Sequence, residues 1–167
     1  MFEEILGIPA HPLFIHTAVI FVPLQVAAAL AFAFLPWARR HAGWFVFGIA
    51  FIAPACALVS KLSGDAFRAR LVREHKTGGS GLVAIDQHRA FGTTTLYYTI
   101  GLSVLLIVML LLHRAAAAQT PDKEGVVVGR GVTGLVVSVL TLLVAIATGY
   151  YVFRTGDTGA HVAWSGY

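Results

Sequence analysis

The chain has 167 residues, 57% of them hydrophobic and only 12% Asp, Glu, Lys or Arg, where a soluble domain carries about 25% charged residues. So few charges cannot coat a soluble surface; the apolar content excludes disorder, and the lone Cys56 excludes a disulfide scaffold. The net charge is +4, with basic residues scattered between apolar blocks; nucleic-acid binding is excluded for want of a basic stripe, and an integral membrane protein remains.

Charged residues fence off the blocks in order. No Asp, Glu, Lys or Arg falls between Glu4 and Arg39, and Leu13–Trp37 is mostly Val, Ala, Phe, Ile and Leu. Only Glu3 and Glu4 precede this block, so it lacks the basic start of a cleavable signal. Pro12 stands where a helix begins, a position that tolerates proline, and Pro23 lies mid-span, where it kinks. A tight turn with Arg39, Arg40 and His41 leads to a second free block, His41–Ser60, which holds Pro54. The polar stretch Lys61–Arg89 follows; Leu62–Glu74 reads as an extension of the second helix along the membrane surface, and Thr77–Gly81 as a flexible break. The third block is Ala90–Leu112. An alanine run and Thr120-Pro121-Asp122 then lead to the fourth block, Gly131–Phe153.

Each block reaches the roughly 20 apolar residues that span a bilayer as helix, and backbone in lipid must satisfy its own hydrogen bonds. The expectation is an all-α, four-transmembrane-helix bundle in one membrane domain, 1–167, with helices at about 12–37, 42–62, 87–113 and 130–154. No internal repeat is visible. Four spans place both termini and the second loop on one side, the terminal face. It carries seven Lys and Arg against five opposite, too even for the positive-inside rule to orient the chain. Ala145 and Gly149 on the fourth helix point to close packing or a homo-oligomer contact.

Polar residues sort by face. The terminal face gathers His11 and His16 in HPLFIH, Ser60 and Asp65, Asp86 and His88 in DQHRAFG, and Arg154, Asp157 and His161 in RTGDTGAH. Histidine in or at the edge of a span is a functional candidate by default. His16, more than a turn inside the first helix, is expected to face the interior, with His88 as its partner from the third helix. His11 and His16 lie about 140° apart around a helix. Imidazoles from two helices suit haem iron. Phe14, Phe91, Gly92, Tyr97 and Tyr98 would wall a macrocycle, and Arg68, Arg70, Arg73 and Arg89 would receive its propionates. The leading expectation is a b-type haem electron-transfer protein with one haem held by His16 and His88. A bare zinc or copper site from His11, His16, His88, Asp157 and His161 is the competing chemistry. The other alternative is a cofactor-free accessory subunit of a larger membrane complex. No nucleophile elbow or phosphate loop is present, so catalysis is not expected; His41 and His113, beside arginines, read as interfacial anchors.

The strings IPAHPLFIHTAVIFVPL, DQHRAFG and RTGDTGAHVAWSG resemble a bacterial family of four-helix membrane proteins that begin with an HPxxxH-like string and are catalogued as a domain of unknown function. The resemblance covers nearly the whole chain in layout, and its specific strings about a fifth. Some relatives are joined to Rieske iron–sulfur domains. The resemblance therefore implies the bacterial cytoplasmic membrane, a redox setting, haem binding, a redox partner protein or larger complex, and roles for His11, His16 and His88. Many relatives have histidine where this chain has Asp157, so His161 could substitute only if the last segment folds back over the bundle.

Overall fold

The computed structural model describes residues 4–119 and 131–164. A two-residue hairpin opens it: β1 (Glu4–Ile5) pairs antiparallel with β2 (Ile8–Pro9). Leu6 and Gly7 between them both have positive φ, 52° and 80°, as a tight two-residue hairpin turn requires. Five helices follow: α1 (Ala10–Phe34), α2 (Pro36–His41), α3 (Gly43–Arg73), α4 (Gly79–Gln119) and α5 (Val132–Trp164). All but α2 are long and apolar enough to cross a membrane, as the charge-free blocks predict. The expected Thr120-Pro121-Asp122 turn lies outside the described residues.

The boundaries differ from the blocks for local reasons. α1 stops at Phe34, not near residue 37, because Pro36 forces the residue before it out of the helical region; Leu35 sits at φ −106° and ψ 113°. The α1 end is capped from the next turn: Arg39 Nε donates to the Phe32 carbonyl at 2.8 Å, and a second guanidinium nitrogen donates to Ala33. α3 does not stop near residue 62, because the helical extension expected of Leu62–Glu74 is present. It runs on to Arg73, aided by pairs one turn apart, Lys61–Asp65 at 2.6 Å and Arg70–Glu74 at 2.7 Å. The break after it, residues 74–78, falls earlier than Thr77–Gly81, since Gly79, Ser80 and Gly81 already belong to α4. α4 continues through Ala115–Ala118, alanine being the strongest helix former. α5 extends past Arg154 to Trp164, so the last segment does not fold back.

The helices pack as α1 with α3, α4 with α5, and both pairs with each other. Ala28, Ala29, Phe32 and Ala33 of α1 meet Val46, Ile49, Ala50 and Ala53 of α3, Leu102, Leu106 and Met109 of α4, and Ala145 of α5. Ala145 is fully buried, whereas a side chain at Gly149 would meet nothing, so close packing holds at the first of these two small residues only. Large side chains on the outside, such as Ile20, Phe51, Tyr97 and Ile146, give the bundle a lipid-facing coat. Hydroxyls inside the spans bond to carbonyls one turn back: Thr95 to Phe91, Thr99 to Thr95, Ser103 to Thr99, Thr141 to Val137, Thr148 to Val144. Each of these hydroxyls thereby satisfies its own donor within its helix.

Candidate functional site

At the terminal end of the bundle two imidazoles face each other from separate helix pairs. The His11 and His88 ring centroids stand 6.2 Å apart with the planes at 67°. His11 occupies the first turn of α1 and reaches across to α3, where Nδ1 lies 3.1 Å from the Ser60 carbonyl and 3.2 Å from Ser63 Oγ. His88, on α4, reaches across to α5; Nδ1 lies 3.0 Å from the Thr155 carbonyl and 3.3 Å from Thr158 Oγ1. A carbonyl can only accept, so each Nδ1 carries the proton and each Nε2 keeps its lone pair. Phe67 stacks on His11, with centroids 6.3 Å apart.

The pair expected from the sequence, His16 with His88, is not the pair the fold brings together. His16 is exposed, and its Nδ1 bonds at 2.6 Å to Pro12 of its own helix. The reason is rotational phase. The buried face of α1 passes through Gln25 and Phe32, and stepping back by sevens from these reaches His11; His16 lies about 140° away. Along α4 the same spacing links His88 to the buried Thr95, Leu102 and Met109. This seven-residue phase is the signal in the sequence that picks His11.

His161 likewise bonds its own helix, at 2.8 Å to the Asp157 carbonyl, and is largely exposed. Asp157 faces Arg154 at 3.5 Å and His161 at 3.4 Å, so these two candidate ligands pair with each other on α5. Arg89, expected at a propionate, has its Nε 2.5 Å from Asp65 Oδ1. Beside it Arg68 grips Asp86 with two nitrogens, at 2.5 and 2.9 Å. These two ion pairs join α3 to α4 on one flank of the histidines. A shallow groove of about 420 Å³ opens outside them, lined by Lys61, Arg68, Asp86, Arg89, Thr93 and Tyr97; it does not reach the imidazoles. Past the end of α3, Lys76 and Arg70 hold the Glu74 carboxyl down at about 2.

The other sequence candidates stand apart. His41 is exposed and bonds its own helix at Trp37. His113 packs edge-on against Phe32 at the far end of the bundle. Among the described residues no group of three or more His, Cys, Asp or Glu side chains is placed to hold a metal ion.

Four apolar, membrane-length helices with a paired-imidazole end define a multi-pass membrane protein. The chain belongs to the family described as predicted membrane protein (DUF2231), which matches residues 7–166. No curated protein and no solved structure matches it.

Proposed function

We propose that this membrane protein holds a metal centre between His11 and His88, that the centre is a b-type haem, and that it exchanges single electrons with a partner at the terminal face. The pairing of the two rings carries the reading: their centroids stand 6.2 Å apart and each Nδ1 is tied to a carbonyl, so the two Nε2 atoms remain as the donors that would hold the group.

The donor chemistry fits. A ligating histidine commonly donates its other ring N–H to a backbone carbonyl, which fixes tautomer and orientation; His11 and His88 both do so, each to a different helix. A haem iron takes two protein ligands because the macrocycle fills the other positions, while a structural zinc takes four. His11 and His88 stand as two. When bound, the group supplies a reversible one-electron couple. The chain's part is to hold the imidazoles in one tautomer and to keep Arg68 and Arg89 charged nearby.

The test is an absorption spectrum of the purified protein titrated with hemin. A Soret band typical of two-histidine haem is expected in the parent and in His16→Ala, and is lost in His11→Ala and in His88→Ala. Absence of the band in the parent, or its loss in His16→Ala with survival in His11→Ala, overturns the reading.

A further inference from the structure

The histidine site is built twice. In each half an imidazole at the terminal end crosses to the next long helix and meets a carbonyl and, three residues on, a hydroxyl: Ser60 and Ser63 for His11, Thr155 and Thr158 for His88. The residue after each hydroxyl is glycine, and the ring lies directly over it. A Cβ on Gly64 would stand 3.0 Å from His11 Cε1, and one on Gly159 would stand 2.9 Å from His88 Cε1.

The correspondence runs down the bundle. The offset that takes His11 to His88 also takes Val22 to Thr99, Ala29 to Leu106, Phe32 to Met109 and Ala33 to Leu110, all buried. The offset that takes Ser60 to Thr155 also takes Val46 to Thr141, Ala50 to Ala145 and Ala53 to Thr148, again all buried. α1 and α4 both start at the terminal face, and α3 and α5 both end there. The halves are thus parallel repeats about an axis along the membrane normal. The absence of a repeat expected from the sequence is corrected here: equivalent positions share burial, with Ser matching Thr, Ala matching Thr and Ala matching Leu, more often than identity.

We infer that the chain is two copies of one helical hairpin, each contributing a complete imidazole cradle, and that Gly64 and Gly159 are its equivalent positioning residues. Each glycine clears the space that its histidine ring fills, and the hydroxyl and carbonyl beside it fix the ring's rotation. The assignment rests on the haem reading only for what the rings bind, not for how they are held.

The experiment uses the full chain in detergent micelles, with 15N-histidine spectra of the cofactor-free protein and hemin titration side by side. Gly64→Ala is expected to move the imidazole signals of His11 more than those of His88, and Gly159→Ala the reverse. Hemin affinity falls by about 10- to 100-fold in each, the usual loss when a ligand's supporting contact is disturbed. Ser63→Ala and Thr158→Ala add no bulk and give the same histidine-specific pattern with smaller losses, which keeps the test decisive if a glycine variant misfolds. Variants that leave their own histidine's signals unmoved overturn the cradle. Histidine-specific shifts in a parent that takes up no hemin support the cradle and overturn the haem reading alone.

Discussion

Replacing Gln25 by Leu should leave the bundle as stable as the parent or more stable, by up to about 2 kcal/mol. Gln25 is fully buried on α1. Its Nε2 donates to Ser103 Oγ at 2.7 Å and, more weakly, to the Thr99 carbonyl at 3.3 Å, while its Oε1 has no partner. Hydrogen bonds between membrane helices are worth roughly 0.6 kcal/mol on average, so the two bonds lost amount to about 1 kcal/mol. Removing an orphaned buried acceptor returns about 1–3 kcal/mol. Leucine of similar volume fills the site, and Ser103 Oγ keeps its own bond to the Thr99 carbonyl at 3.0 Å, so nothing new is orphaned. The assay is reversible unfolding in mixed micelles followed by helical circular dichroism, with Gln25→Ala as the cavity control. A loss above about 2 kcal/mol in the leucine variant refutes the reasoning, because Oε1 would then have a partner of its own, a trapped water or a ligand.

In the same assay Phe32→Ala should cost about 3–5 kcal/mol, since this ring is fully buried where all four spanning helices meet; a cost near zero would place the core elsewhere. Arg89→Gln frees Asp65 from its cross-helix partner and should lower stability at low ionic strength, with the difference fading near about 1 M salt because exposed pairs are screened. An equal loss at both salt concentrations would contradict an ionic clasp. Glu74 is held down at about 2 from an ordinary value of 4.5 by Lys76 and Arg70. Its contribution is therefore full above 4.5 and lost as pH falls through about 2. Amide protection in residues 74–78, taken relative to the intrinsic exchange rate at each pH, should fall over that window in the parent and show no such step in Glu74→Gln.

The four spans were legible because charge is so scarce that each Arg or Asp marks a boundary. Their ends were not. Hydropathy stops at Ser60, Leu112 and Phe153, but the helices run on to Arg73, Gln119 and Trp164, where ion pairs and alanine propensity replace apolarity as the support. The site was half legible. Sorting polar residues by face put His11 and His88 at one end, but depth along the chain was mistaken for orientation: His16 lies deeper and points outward, while His11 sits on the buried phase. The cradle was hidden because its anchors are two backbone carbonyls and two glycines, which composition registers as nothing more than ordinary helix. The repeat was hidden for a related reason, since equivalent positions keep their burial while Thr stands for Ser, Met for Phe and Leu for Ala.

The helices are longer than the lipid requires. α3, α4 and α5 have 31, 41 and 33 residues, against roughly 20 for the hydrocarbon core, and at the terminal end the surplus forms a collar of ion pairs carrying the two imidazoles. Bilayers of different thickness are accommodated by tilting or local thinning at fractions of a kcal/mol per Å, and those adjustments act on the greasy midsections. A collar riding above them keeps its internal distances. The same two-ring geometry should therefore persist in thin and thick membranes alike, making the imidazole pair indifferent to the lipid that carries it.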